Sequence, residues 1–173
     1  MASKGKNLSV FDKTNLPDAT RFRFGIVVSE WNAKITDALY EGALETLKSS
    51  GVDPQNIHTI TVPGSFELTS GARFIASNHK VDAVICLGCV IQGETRHFEF
   101  ICQAVANGLT NLSIAANIPF IFGVLTTDTE EQAVARSGGK HGNKGIEAAI
   151  TAIKMAALKN QKKEDRKIGF SGL

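Results

Sequence analysis

The chain has 173 residues, 21% of them charged, and a formal net charge of +2. That length supports one domain around a single core, the near-neutral balance argues against a general nucleic-acid binder, and no apolar run reaches the length of a membrane span. The opening Met1-Ala2-Ser3-Lys4-Gly5-Lys6 lacks the apolar core of a secretory signal, and three cysteines are an odd count, so a cytoplasmic protein in a reducing compartment is expected.

Residues 1–20 read as an extended arm, 21–158 as the folded domain and 159–173 as a polar, solvated tail. The first strand is predicted at 22–29. A helix follows at 34–49, where Ile35, Leu39, Ala43 and Leu47 recur every fourth residue and Gly51 and Pro54 close the run. Residues 57–62 form the second strand and 66–78 the second helix. The apolar run 81–87 reads as a buried strand ending at Gly88. Residues 97–117 carry Ile101, Val105, Leu109 and Leu112 along one helical face. A fourth strand at 119–125, a short helix at 130–136 and a last helix at 144–159 complete the order. Such alternation predicts an α/β protein with a parallel sheet covered by helices on both faces. Ligands of these folds bind beyond the carboxyl ends of the strands.

The unusual residues lie at those ends. Ser29-Glu30-Trp31-Asn32 follow the first strand, Pro63-Gly64-Ser65-Phe66-Glu67 the second, and Gly88-Cys-Val-Ile-Gln-Gly-Glu-Thr-Arg-His97 the third. The spacing Gly88-x4-Gly93-x-Thr95 is that of a phosphate-cradling loop, but Glu94 stands where such a loop needs its lysine. Backbone N–H groups there could still hold a small anion, and His97 is suited to moving protons near neutral pH. Together they suggest an enzyme acting on a small phosphorylated substrate, not an ATPase. Trp31, the chain's one tryptophan, fits either a stacking platform for a planar heterocycle or a staple over the sheet edge. Glu67 could serve a ligand or merely favour a helix N-terminus. Cys86-x-x-Cys89 would point to opposite faces of a strand and reads as core, not as a metal pair. The late run Arg136-Ser-Gly-Gly-Lys-His-Gly-Asn-Lys-Gly145 suits an anionic ligand or a solvated connection between helices. His58, His79 and His141 carry no assigned role.

Six ordered segments resemble the 6,7-dimethyl-8-ribityllumazine synthase family across residues 21–158. They are Phe24-Gly-Ile-Val-Val-Ser-Glu-Trp-Asn32, Val62-Pro-Gly-Ser-Phe-Glu67, the Gly88–His97 run with Phe98, Pro119-Phe-Ile-Phe-Gly-Val-Leu-Thr126, Glu131-Gln-Ala-Val-Ala-Arg136 and Gly142-Asn-Lys-Gly145. The resemblance implies a flavodoxin-like three-layer α/β/α sandwich with a central four-stranded parallel sheet. It implies condensation of 5-amino-6-(D-ribitylamino)uracil with 3,4-dihydroxy-2-butanone 4-phosphate, the penultimate step of riboflavin biosynthesis, with no metal or redox cofactor. By motif position the pyrimidine and ribityl contacts fall on Trp31, Ser65, Phe66, Glu67, Cys89, Val90, Ile91, Phe122 and Lys144. The phosphate contacts fall on Gly93, Glu94, Thr95 and Arg136, and the proton-transfer role on His97. Family sites lie between subunits of a five-membered ring, with Phe122 and Arg136 donated by the subunit opposite Trp31 and His97. Only residues 137–143 separate Arg136 from Lys144. That short connection resembles family members that build 60-mer shells of twelve pentamers, for which the apolar arm Leu8-Ser9-Val10-Phe11 could add a strand to a neighbour. Riboflavin synthase is the one candidate protein partner, and neither nucleic acid nor membrane is implied.

Three positions depart from the family pattern. Trp31 replaces a common Phe, which strengthens stacking or admits an oxidised flavin as an off-pathway ligand. Gln92 stands where a cation is frequent, which puts more of the phosphate role on Arg136. Cys89 replaces a Thr or another small residue and contributes backbone and volume. Two other readings compete. A flavin-binding protein of the flavodoxin type leaves the Val62–Glu67 motif, Arg136 and Lys144 without a role. An inactive cage-former does not account for His97, Arg136 and Lys144 occurring together.

Overall fold

The computed structural model describes residues 16–167, with side chains of the last helix as far as residue 160. The arm segment Leu8-Ser9-Val10-Phe11 lies outside the described residues. Strands β1 (Phe24–Ser29), β2 (Ile57–Val62), β3 (Ala83–Ile91) and β4 (Phe120–Thr127) pair in parallel in the order β2-β1-β3-β4. Helices α1 (Ala33–Ser49) and α5 (Lys144–Lys167) cover one face, and α2 (Leu68–Asn78) and α3 (His97–Ala116) the other. This is the parallel sheet covered on both faces that the alternation predicts, and the flavodoxin-like three-layer α/β/α sandwich that the resemblance implies. Among the described residues no helix is long and apolar enough to cross a membrane.

Alternation along the strands divides the core. Phe24, Ile26, Val28, Ile85, Leu87 and Cys89 point toward α1 and α5, while Val27, Val84 and Cys86 point toward α2 and α3. The two cysteines therefore sit on opposite faces. Every residue of β1 is buried, as befits a central parallel strand covered on both sides. On α1 the predicted stripe Ile35, Leu39, Ala43 and Leu47 is buried, and on α3 Val105 and Leu109 are, with Ile101 and Leu112 packed against them.

Three segments differ from the sequence expectation. Strand β3 does not stop at Gly88 but continues to Ile91, its ladder completed by Val90 against Thr126 and Ile91 against Thr127. Helix α5 runs past residue 159 to Lys167. Gln, Lys, Glu, Asp and Arg are tolerated in helices, and no Gly or Pro interrupts the run. The late glycine-rich stretch, exposed at residues 138–141 as a solvated connection would be, is nonetheless ordered: after α4 (Glu130–Val134) it forms a hairpin of β5 (Ser137–Gly139) and β6 (Gly142–Asn143). Asn143 pins this hairpin. Its Oδ1 caps α5 by accepting from the N–H groups of Gly145 at 2.8 Å and Ile146 at 3.3 Å. Its Nδ2 donates to the carbonyls of Ala38 at 2.8 Å and Ser137 at 3.3 Å. The α1–α5 approach leaves no room for side chains beside it. A Cβ on Gly42 would meet the Asn143 amide at 2.7 Å, and one on Gly145 would run into the Leu39 carbonyl.

Replacing Asn143 by Leu removes a helix cap and orphans two carbonyls, so unfolding free energy should fall by about 2–4 kcal/mol. Denaturant titration checks this; a loss within error of zero would mean that the hairpin is held by other contacts.

At the amino end of the sheet His58 of β2 stacks on His79, which follows α2, with ring centroids 4.0 Å apart and planes at 18°. Burial, then the facing His79 and Arg23, hold the His58 ring below its ordinary value of 6.5. A ring whose folded-state pKa is depressed stabilises the fold above the unfolded-state value, and that contribution is lost as pH falls below it. The melting temperature should thus decline from pH 7 toward pH 5. His58→Phe, which keeps a stacking surface, should flatten the decline; an unchanged slope would assign it to other groups.

Candidate active site

The sheet order reverses at β1, whose neighbours β2 and β3 lead away on opposite sides, and the crevice of such a fold opens at the carboxyl ends there. Three loops converge on it. Beyond β1, Glu30 N–H donates to the Val62 carbonyl at 2.8 Å and Trp31 N–H to Pro63 at 3.1 Å, prolonging the β1–β2 ladder. These bonds hold Trp31 beside the Pro63–Glu67 loop, and both aromatics face solvent, Trp31 at 72% and Phe66 at 56% exposure. Glu67 is half-buried and its carboxylate folds over Gly64 without a hydrogen-bond partner among the described residues. Ser65 is buried.

Asn32 ties this flank to β3. It has a left-handed backbone (φ 62, ψ 44), its carbonyl accepts the N–H groups of Ile35 and Thr36 at 2.8 and 3.1 Å, and its Nδ2 donates to the Cys89 carbonyl at 3.0 Å. Asn32 stands in the first family segment, but the sequence expectation assigns it no role. The usable signal is an Asn directly before a helix, at a position where left-handed backbone is tolerated.

Because β3 extends to Ile91, Gly88 belongs to a strand and not to a phosphate loop. Its lack of a side chain serves packing: a Cβ there would stand 2.7 Å from Ser65 Oγ and 2.9 Å from Leu68. The anion-binding reading therefore contracts to Gln92–Arg96. Gln92 N–H donates to the Thr127 carbonyl at 2.8 Å, its Nε2 to the Gly93 carbonyl at 2.9 Å, and Thr95 Oγ1 accepts the His97 N–H at 3.4 Å. The backbone N–H groups of Gly93, Glu94, Thr95 and Arg96 have no partner among the described residues, and a Cβ on Gly93 would meet nothing within 4 Å. Room and donors for an anion are thus present at the start of α3. His97 is exposed there, and its ring makes no hydrogen bond among the described residues. Val90 and Ile91 are half-buried at the crevice wall. The Cys89 thiol is buried, and burial, with Glu130 adding to it, pushes it up to about 11. This residue offers shape and backbone only.

The remaining residues occupy another flank. Phe122 pairs in register with Cys86, three rungs before Cys89, roughly 10 Å down the sheet. It lines a groove of about 390 Å³ along the open edge of β4 together with Lys144, Glu147 and Met155. Lys144 Nζ is ion-paired with Glu147 at 2.9 Å. Arg136, half-buried, donates from Nη1 to the Gln132 carbonyl at 3.0 Å, and its own carbonyl accepts the Lys144 N–H at 2.9 Å. Among the described residues no hydrogen bond, ion pair or ring contact links these three to Trp31, Phe66 or His97. Within one chain the expected site residues are therefore in two groups.

Fold and crevice define a doubly wound α/β protein with exposed aromatics, a loop of unpartnered backbone N–H groups and an exposed histidine at the carboxyl ends of its strands. The family model for 6,7-dimethyl-8-ribityllumazine synthase matches residues 21–160. Relatives of that name include one from Cytophaga hutchinsonii, 59% identical over 91% of this chain and 98% of its own. Others come from Flavobacterium johnsoniae, 55% identical over 93% and 85%, and Parabacteroides distasonis, 54% identical over 90% and 97%. The chain belongs to the 6,7-dimethyl-8-ribityllumazine synthase family.

Proposed function

We propose that the two flanks are halves of one pocket completed between neighbouring subunits. In it the chain condenses 5-amino-6-(D-ribitylamino)uracil with 3,4-dihydroxy-2-butanone 4-phosphate to 6,7-dimethyl-8-ribityllumazine, releasing phosphate and water. The observation that supports the composite pocket is that Phe122 and Lys144 line a groove on the open β4 edge, and that among the described residues neither they nor Arg136 makes a hydrogen bond, ion pair or ring contact with Trp31, Phe66 or His97.

The pyrimidine ring lies against Trp31, with Phe66 and the Phe122 of a neighbour closing around it. Ser65, the backbone of Cys89, Val90 and Ile91, and Lys144 meet its polar edge, and the Glu67 carboxylate accepts from ribityl hydroxyls. The butanone phosphate lies on the N–H groups of Gly93, Glu94 and Thr95, with Arg136 supplying the charge. The ring amine attacks the ketone, water leaves to give an imine, and phosphate is expelled. The second amine then closes the ring with loss of a further water. His97 takes and returns the protons, a role that suits an exposed imidazole with no competing partner.

Assembly into a ring is supported by apolar surface that a lone chain would leave wet. Phe100 and Ile114 of α3 are 65% and 77% exposed. Between them the exposed Gln103, Asn107 and Thr110 continue the alternating three- and four-residue spacing of a helix seam packed against like helices. None of the five is charged, and an uncharged polar side chain within such a seam sets its register. A head-to-tail contact whose rotation closes gives a pentamer, and the short hairpin connection favours twelve pentamers in a cytoplasmic 60-mer shell. Its interior is the natural place for riboflavin synthase, which consumes the product.

Mixing the protein with both substrates should generate lumazine absorbance. His97→Ala should lower turnover about 10²-fold with assembly intact; unchanged kinetics would remove His97 from the mechanism. Co-assembled His97→Ala and Arg136→Ala chains should regain about a quarter of wild-type activity, since random mixing around a closed ring leaves that share of interfaces intact on both sides. No recovery would locate each site within one subunit. Light scattering should report a megadalton particle, and a monodisperse pentamer would refute the shell alone.

A further inference from the structure

Two buried side-chain polar atoms among the described residues have no hydrogen-bond partner, Ser29 Oγ and Ser65 Oγ. They come from different elements, the last residue of β1 and the β2–α2 loop, yet they border one small volume. A Cβ on Gly88 would stand 3.3 Å from the first and 2.7 Å from the second. The only other group that close to this point is Leu68 Cδ1, at 2.9 Å, which offers nothing polar. Ser29 is fully buried and Ser65 is 6% exposed. Native folds rarely leave a buried hydroxyl unmatched, because the cost of desolvating it is not recovered, and alanine would serve packing as well. The bare Cα of Gly88 keeps open the space into which either hydroxyl can turn.

We propose that Ser29 is a positioning residue for the pyrimidine, acting through Ser65. With the pyrimidine bound, its hydroxyl turns to donate to Ser65 Oγ, a bond the two side chains do not make in the orientations seen, and the Ser65 proton is thereby directed to a carbonyl on the edge of the pyrimidinedione. A serine carries one donor and two acceptor lone pairs, so a donor from beneath gives Ser65 a fixed polarity toward the ring. The inference rests on the reading of Ser65 as a ring contact. It adds a residue from β1 and a direction for the hydrogen bond.

A double-mutant cycle in the assembled enzyme tests it. Ser65→Ala should raise the KM for the pyrimidine about tenfold and Ser29→Ala about fivefold, as expected for one lost hydrogen bond. The KM for the butanone phosphate should stay constant in both. The double variant should be no worse than Ser65→Ala alone, because Ser29 has then lost the group through which it acts. Ser29→Ala should not lower the melting temperature, and Ser29→Cys, near in volume and a weak donor, should fall between alanine and serine. Additive effects, equal rises in both KM values or a marked thermal loss would overturn the proposal. If Ser65→Ala leaves the pyrimidine KM unchanged, the ring-contact reading falls and the proposal with it. If Ser65→Ala raises it and Ser29→Ala does not, the proposal falls alone.

Discussion

Asn32 is the joint on which the crevice depends. One residue does three jobs: its left-handed backbone turns the chain out of β1, its carbonyl starts α1, and its amide reaches the Cys89 carbonyl. Because α1 starts there, Trp31 is left on the crevice side of the turn and not in the helix. Because the amide reaches β3, the aromatic flank and the loop before α3 are held in one register. An Asn tolerates left-handed backbone better than most residues and also carries an amide that can bond to a neighbouring strand.

The charge distribution bears on the proposed joining of the two flanks. At the crevice the side chains of Glu30, Glu67 and Glu94 are acidic, and Arg96 lies 3.8 Å from Glu99 with most of its surface in solvent. Backbone donors can orient a phosphate there but bring no net charge. Two partly sheltered cations, Arg136 and Lys144, follow β4 in the chain, and Lys144 lines the groove at its edge. Joining the flanks, as proposed, would bring side-chain charge to that loop of backbone donors.

Much of the architecture was legible because its signals are periodic. The four-residue recurrences of α1 and α3 and the apolar runs of the strands fixed element type and order. The failures came where pattern is silent. Gly88 carried a loop signature, but the β-branched Val90 and Ile91 found ladder partners in β4, and pairing outweighed the glycine. Residues 137–143 looked like solvated loop because the Asn143 bonds that organise them reach Ala38, far away in sequence. The stacking of His58 on His79 likewise joins a strand to the end of a helix. For the site, the segments were found by resemblance, and the convergence of those after β1, β2 and β3 at the crevice could be anticipated from the rule for open sheets, whereas the separate position of Phe122 and Lys144 could not. The role of Asn32 could not, since it depends on the Cys89 carbonyl of β3, far away in sequence.

The cysteines give the fold a built-in chemical reporter. Burial holds Cys86, Cys89 and Cys102 as neutral thiols, Cys86 most strongly of the three. Since the thiolate is the reactive species, electrophiles and peroxides find little to attack while the sheet is closed. Two of these thiols lie on β3 and the third on the helix that follows it. Modification of the buried Cys86 and Cys89 therefore waits on local opening of β3, whereas the half-buried Cys102 is shielded only in part, so the strand that leads into the Gln92–Arg96 loop is guarded against oxidative damage by the stability of its own packing.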